Sequence, residues 1–239
     1  MNRLLKSMQL DFTVQGRNYF YHIGVGSALL LGGLLWYFFN QENLAYAIPL
    51  MYLFGLGGST YLFVGALILV EKRDHTLDGL IVTPLRPREY INAKVISMTI
   101  LGLFESLGIA AVAYGFPYGW DFNWFYLITG VVFMAVMNCL LGLIVVVRYE
   151  SINNFLMPTL ALSIVLQLPF VHVLGFWESP LFYLIPSFPS LQLVLRAFDP
   201  TAVSTGELIY GFVGSIVVII GLYMWGERAF DRHIIQRTG

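Results

Sequence analysis

The chain has 239 residues, of which 58% are hydrophobic and only 11% are charged, and its formal net charge is −1. A soluble domain carries about 25% charged residues, so this composition excludes an ordinary soluble protein and predicts an integral membrane protein. The single cysteine, Cys139, lies in an apolar run. This excludes a disulfide framework and a cysteine-based metal site.

The N-terminal segment, residues 2–14, has the periodicity of a helix. Leu4, Leu5, Met8 and Phe12 fall on one helical face, and the polar side chains fall largely elsewhere. This pattern predicts an amphipathic helix that lies in the membrane interface before the first span. The alternative is a frayed and solvated tail.

Six apolar runs follow, each close to the length of about 20 residues that a transmembrane helix needs. The predicted spans cover residues 19–39, 47–70, 90–114, 124–147, 155–174 and 208–225. An even number of spans places both termini on one side of the membrane. Of the 13 lysines and arginines, all but Arg196 lie on that side. Because basic loops stay in the cytoplasm, both termini are predicted to be cytoplasmic. The predicted fold class is an all-α membrane protein.

The connection between the second and third spans, residues 71–90, has a pattern of its own. Residues 76–83 can form about two turns of helix. Leu77, Leu80 and Ile81 recur at helical spacing and form an apolar stripe, and Pro84 ends the helix. The predicted shape is a rigid elbow in the cytoplasm. The stripe has two compatible candidate partners, a soluble protein and the chain's own N-terminal helix.

The segment 172–207, before the last span, combines prolines and aromatic residues. Pro180, Pro186 and Pro189 alternate with residues such as Trp177 and Phe182. The segment is too apolar for a solvated loop and too interrupted for a seventh span. Such backbone is tolerated at membrane depth where protein covers it. We therefore predict re-entrant or interfacial short helices on the outer face.

Motifs for catalysis and metal binding are not found in this sequence. It contains no G-x-x-x-x-G-K-[ST] phosphate-binding loop. Its four histidines lie in four separate elements and lack the spacing of metal ligands. We therefore expect that this chain catalyses no reaction by itself and binds no metal or cofactor.

Glu105 is the only acidic residue clearly inside a predicted span. Ionisable groups in that position are candidates for a functional role. Two interpretations are open. Glu105 either hydrogen-bonds a neighbouring helix in its neutral form, for example at Asn138 or Gln167, or it forms a polar point in a substrate path or a proton-linked group.

The most specific stretch runs from Glu71 to Lys94 and reads E-x-x-x-x-T-L-D-G-L-x-V-T-P-L-x-x-x-E-Y-x-x-x-K. With it, the chain resembles the permease subunit of a bacterial ABC-2 type ATP-driven exporter over nearly its whole length. In that family the stretch forms a coupling helix, which sits in a cleft of the ATPase subunit and transmits its closure. The resemblance implies a polar junction at Glu71 between the second span, the coupling helix and the N-terminal helix. The residues implied in coupling are Glu71, Thr76, Leu77, Leu80, Ile81 and Pro84.

The resemblance also implies partners. Two permeases, identical or paralogous, would assemble with two separate P-loop ATPase subunits, which bind ATP and Mg. Residues 1–239 would form one such transmembrane domain in the bacterial inner membrane, without a nucleic-acid partner.

The general style of the sequence is similar to that of permeases known for fluoroquinolone and other drug export. We therefore expect an amphipathic substrate that is drug-like or lipid-like. The resemblance places the substrate path between the two permeases, along the second and fifth spans with help from the first. The expected path residues are Tyr52, Phe54, Tyr61, Phe63, Glu105, Gln167, Phe170 and His172.

Two other classes of function remain as alternatives. An ATP-independent secondary transporter would use Glu105 as its titrating group. A membrane-bound assembly or immunity protein would use the apolar stripe to recruit a partner. The sequence has no convincing internal repeat, which argues against an inverted-repeat secondary transporter.

Overall fold

A computed structural model describes residues 3–74 and 87–235 of the chain. All regular secondary structure within these ranges is helical. The helices are numbered in chain order as α1 Arg3–Arg17, α2 Phe20–Phe38, α3 Gln41–Arg73, α4 Pro87–Ala110, α5 Phe116–Tyr118, α6 Trp124–Val146, α7 Ile152–Gln167, α8 Pro169–Val173, α9 Phe188–Phe198 and α10 Thr205–Phe230. Short π-helical segments continue two of them, and these segments are Ala111–Gly115 after α4 and Asp231–Ile235 after α10.

The described ranges contain six helical stretches that are long and apolar enough to cross a membrane, and they coincide with the six predicted spans. These stretches are Phe20–Phe38, Gln41–Arg73, Pro87–Tyr118, Trp124–Val146, Ile152–Val173 and Thr205–Ile234. The all-α membrane fold is therefore confirmed. The largest differences are in length, since α3 begins at Gln41 rather than at residue 47 and contains Pro49. A proline can be tolerated there because surrounding protein covers the backbone, and Pro49 is buried.

The helix α6 lies at the centre of the bundle. It packs against α3, α4, α9 and α10. Gly142 permits its close approach to α3, because a Cβ at this position would lie 2.4 Å from Val64 Cγ1 and 2.8 Å from the carbonyl oxygen of Tyr61. By contrast, fewer than a third of the residues in the most apolar stretches of α2, α7 and α10 are buried, so these helices form the periphery.

The N-terminal segment forms the helix α1, as predicted, but its buried face is partly polar. The side chains of Asp11 and Gln15 are buried, whereas Leu5 and Leu10 are 50% and 62% exposed. The helix packs mainly on α4. This docked helix contradicts the alternative of a frayed and solvated tail. The buried polar face arises because α4 presents a charged partner to it.

The segment before the last span contains the expected short helices. A 3-10 turn covers Pro180–Leu184, and α9 follows at Phe188–Phe198. All but one of the residues of α9 are buried, because the helix packs against α6, α10 and α3. The re-entrant placement of this segment in the bilayer stays a prediction.

Candidate functional site

Most of the residues predicted to couple the chain to an ATPase lie outside the described ranges. These residues are Thr76, Leu77, Leu80, Ile81 and Pro84. Glu71 lies inside them, in the last turn of α3. The helices on either side of the connection, α3 and α4, are both described, so the surroundings of its two ends are known.

A buried ionic network joins these two helices to α1. Lys94 on α4 is 1% exposed, and its Nζ donates to Asp11 Oδ1 on α1 and, over 2.5 Å, to Glu71 Oε1 on α3. The hydroxyl of Tyr90 donates to Glu71 Oε2 at 2.5 Å. Ser97 Oγ lies 3.4 Å from Asp11 Oδ2. We call these five residues the Lys94 network.

The Lys94 network holds charge away from water, which is costly unless each charge is paired and hydrogen-bonded. Burial raises the pKa of the Asp11 carboxyl above its ordinary value of 3.8, although the neighbouring Lys94 ammonium acts in the opposite direction. Removing Lys94 would leave the carboxylates of Asp11 and Glu71 without their common cation. The network therefore ties the N-terminal helix to both ends of the 71–90 connection.

Sequence reasoning placed Glu71 in a polar junction, but it did not identify Asp11, and it gave Lys94 no role of its own. A signal for Asp11 exists. Positions 4, 8, 11 and 15 share one face of a helix, so a carboxylate at position 11 interrupts the apolar face of Leu4 and Met8. A charge in that position predicts a buried cation opposite it.

Further polar contacts hold the same end of the bundle. Arg88 Nε lies 2.5 Å from Glu227 Oε1, which ties the start of α4 to the end of α10. The ammonium group of Lys72 binds the chain just after α6. Its Nζ donates over 2.7–3.3 Å to the carbonyl oxygens of Val146, Val147 and Tyr149. Both flanks of the 71–90 connection are thus anchored to neighbouring spans.

Glu105 is buried and hydrogen-bonded, but not to the residues that were predicted. Its Oε1 accepts from Ser27 Oγ at 2.6 Å, and its Oε2 accepts from Ser59 Oγ at 3.0 Å. The prediction of Asn138 or Gln167 as its partner is therefore wrong. Glu105 faces α2 and α3, whereas Asn138 donates within its own helix α6 to the carbonyl oxygen of Met134.

A cavity of about 600 Å³ lies at the end of the bundle opposite the Lys94 network, between the end of α2, the start of α3 and the end of α8. Most of its walls are apolar. Phe54, one of the predicted path residues, lines it, and Phe170 packs on Phe54 with ring centroids 5.6 Å apart. The lining residues are Leu35, Phe39, Asn43, Tyr46, Ala47, Leu50, Met51, Phe54, Val173 and Leu174.

Three other aromatic residues predicted for the path pack inside the subunit. Tyr52 and Tyr61 are 0% exposed. The Tyr52 hydroxyl donates to the carbonyl oxygen of Ser106 at 2.6 Å, and Tyr61 stacks on Phe155. Phe63 stacks on the ring of Phe20. These contacts give all three residues a packing role in this conformation.

Gln167 and His172 lie at different depths of the fifth span. Gln167 lines a narrow pocket of about 10 Å³, which also borders Asn138 and Ser187. His172 packs its ring on Phe182 and Phe188, with centroids 5.6 and 5.3 Å away. Neither residue lines the 600 Å³ cavity.

The part of the chain that the structure describes contains no group of three or more His, Cys, Asp or Glu side chains that could hold a metal ion. Two candidate sites remain in the described part of the chain. They are the Lys94 network at one end of the bundle and the cavity of about 600 Å³ at the other.

Comparison with known proteins identifies the family. A sequence profile of the Fluoroquinolones export permease protein family matches residues 2–238. The chain is also similar to the fluoroquinolones export permease proteins of two strains of Mycobacterium tuberculosis, with 30% identity over 244 aligned positions. The alignment covers 100% of this chain and 99% of each relative. Together with the six membrane-spanning helices, this match shows that the chain belongs to the fluoroquinolone export permease family.

Proposed function

We propose that the chain is the permease half of an ATP-driven exporter. Two permeases, identical or paralogous, would work with two separate P-loop ATPase subunits that bind ATP and Mg. The whole chain would act as one transmembrane domain. The distribution of its basic residues supports an orientation with both termini in the cytoplasm, and the bacterial relatives support a location in the bacterial inner membrane.

The Lys94 network is the observation that carries this proposal. An ATPase that pushes on residues 75–86 needs a rigid attachment to move the spans, and a flexible loop would absorb the push. Glu71 and Lys94 are joined across the two ends of this connection. The network also includes α1 through Asp11. A force on the connection would therefore turn α1, α3 and α4 together.

The cavity supports an amphipathic substrate. Its volume of about 600 Å³ is within the usual range of ligand pockets, roughly 300–1,000 Å³. Apolar and aromatic walls suit a flat ring system, and Asn43 and Tyr46 supply polar groups at one end. The relatives are named for fluoroquinolone export. We infer a drug-like substrate that passes between the two permeases.

The two alternatives receive less support. Hydrogen bonds from Ser27 and Ser59 give Glu105 a role in joining α2, α3 and α4, which needs no ion coupling. Membership in an export permease family argues against an assembly or immunity protein.

Co-purification with the products of neighbouring genes tests the proposal. We expect a stoichiometric P-loop ATPase whose hydrolysis is stimulated by substrate. Leu77→Arg/Leu80→Arg should abolish the stimulation, because two charges would replace the apolar contacts with the ATPase that the proposal assigns to these leucines. The matched control is Leu10→Arg on the exposed face of α1, where the leucine is 62% exposed and the stimulation should persist.

Unchanged stimulation in the double variant would contradict the coupling assignment. A chain that purifies alone and still moves solutes across vesicles would contradict the whole proposal. In that case, loss of transport in Glu105→Gln would favour the secondary transporter.

A further inference from the structure

The cavity has an acidic residue directly behind its polar end. Tyr46 lines the cavity, and its hydroxyl donates to Asp199 Oδ2 over 3.2 Å. The other carboxylate oxygen, Oδ1, accepts from the backbone N–H and the hydroxyl of Thr201, each at 2.7 Å. Asp199 is partly exposed and lies one hydrogen bond away from the cavity-lining Tyr46.

The hydrogen bonds from Thr201 lower the pKa of the Asp199 carboxyl below its ordinary value of 3.8. Asp199 is therefore ionised at neutral pH. The Tyr46 hydroxyl reaches the same carboxylate from the cavity side, so a cation bound at the mouth would meet a fixed negative charge.

The surroundings of the mouth carry few compensating positive charges. The chain segments at this end of the bundle contain five acidic residues but only one basic residue, Arg196. The Arg196 guanidinium donates to the carbonyl oxygen of Val203 at 3.1 Å. The acidic residues are Glu42, Asp121, Glu178, Asp199 and Glu207. These segments therefore carry a net negative charge, which favours cations at this end of the bundle.

We propose that the cavity selects amphipathic molecules that carry a positive charge, and that Asp199 sets this preference. The inference rests on the proposed export function. The apolar body of such a molecule would be buried between Leu50, Phe54 and Val173, where burial is favourable. Its ammonium group would stay at the partly hydrated mouth, near Asp199, and so avoid the cost of entering an apolar interior.

Two matched compounds test this preference. One is a fluoroquinolone with a free piperazine amine, and the other is the same compound with that amine acetylated, which removes the positive charge, adds an acetyl group and leaves the ring system and its carboxyl group unchanged. The permease and its ATPase are assayed together in inside-out membrane vesicles. The intrinsic fluorescence of the compounds reports their ATP-dependent uptake over a range of concentrations.

In Asp199→Asn, the concentration of the amine compound that gives half-maximal uptake should rise about fivefold, the size of effect expected for one partly exposed ion pair. The acetylated compound should be unaffected. Asn keeps an oxygen that accepts from Thr201, and its NH2 group can donate to the Tyr46 hydroxyl in place of the second carboxylate oxygen, so the local fold should persist. Asp199→Glu should keep the preference. The matched control is Asp121→Asn, which removes one acidic charge from the same end of the bundle but leaves the hydrogen bond between Asp199 and the cavity-lining Tyr46 in place, and it should change the uptake of the amine compound much less than Asp199→Asn does.

An equal change for both compounds in Asp199→Asn, or no change for either, would overturn the inference. No change for either compound is also the result expected if a lipid chain or a helix of the second permease fills the cavity. If the unmodified complex takes up neither compound when ATP is added, the export function itself fails, and the inference fails with it.

Discussion

The two ends of the helix bundle are held together by different physical means. At the end that carries the Lys94 network, charged groups are buried and paired across α1, α3 and α4. At the opposite end, aromatic rings pack around α9. Phe188 is 0% exposed, and its ring centroid lies 4.9 Å from that of Tyr183 and 5.3 Å from that of His172.

This difference matters for a protein that must move. A buried ion pair is directional, and separating its partners is costly, so it fixes the relative position of the helices that carry it. Aromatic contacts depend on area and shape more than on one direction, and they tolerate small shifts between rings. The ionic end is therefore suited to transmitting force, and the aromatic end is suited to rearranging around a substrate.

The largest expected effect is at the ionic end. Lys94→Met should lower the free energy of unfolding by about 3–5 kcal/mol, because it leaves Asp11 and Glu71 buried without their common cation. Thermal unfolding in detergent measures it. Cys139 is the single cysteine and is buried, so a thiol-reactive fluorescent dye will report the transition.

The matched control for this variant is Arg73→Met. The Arg73 side chain is 76% exposed, and its ion pair with Asp74 lies at the surface. Its loss should change stability by about 0.5 kcal/mol or less. If the two variants unfold at the same temperature, the Lys94 network does not hold this end of the bundle.

A smaller effect is expected at the aromatic end. Phe188→Leu keeps an apolar side chain but removes the ring that His172, Tyr183 and Tyr210 contact. The substitution should lower the free energy of unfolding by about 1–2 kcal/mol. The same thermal assay applies. Phe176→Leu is the control, since Phe176 is 75% exposed. If Phe188→Leu lowers the free energy of unfolding as much as Lys94→Met does, the two ends of the bundle do not differ in this way.

The smallest expected effect is on the pH dependence of stability, to which Asp11 and Asp199 should contribute with opposite signs. Burial raises the pKa of Asp11 above 3.8, so its ionisation opposes folding, and its contribution to stability falls as pH rises from 3.8 through the folded-state pKa. Hydrogen bonds from Thr201 lower the pKa of Asp199 below 3.8. Its contribution is present above 3.8 and is lost as pH falls through the folded-state pKa.

Melting temperatures of Asp11→Asn and Asp199→Asn, each compared with the unmodified protein between about pH 3 and pH 7, measure these responses. As pH falls, the unmodified protein should gain stability relative to Asp11→Asn and lose it relative to Asp199→Asn. Shifts of the same sign in both comparisons would contradict the assigned environments of the two carboxyls.

Sequence patterns predicted where the six spans lie, but they did not predict which side chains contact each other. The six spans were predictable because each must bury its own backbone hydrogen bonds in about 20 apolar residues, a local requirement. The partners of Glu105 were predicted wrongly. Spacing along α4 gives the direction of a side chain, but it does not say which helix lies in that direction.

The aromatic residues of α3 illustrate the same limit. Tyr52, Phe54, Tyr61 and Phe63 all lie on one span, and sequence alone gave them one common role. Only Phe54 lines the cavity, and the side chains of Tyr52 and Tyr61 are buried in the bundle. Their roles differ because the helices packed around α3 differ from turn to turn.

Composition and hydropathy determined by themselves that this chain is a helical membrane protein, because those features follow from transfer of each segment between water and lipid. The tertiary structure decided which charges meet and where a cavity remains. Asp11 and Lys94 are separated by 83 positions in the sequence. Their contact depends on how three helices pack, and helix packing is a property of the whole bundle rather than of any one segment.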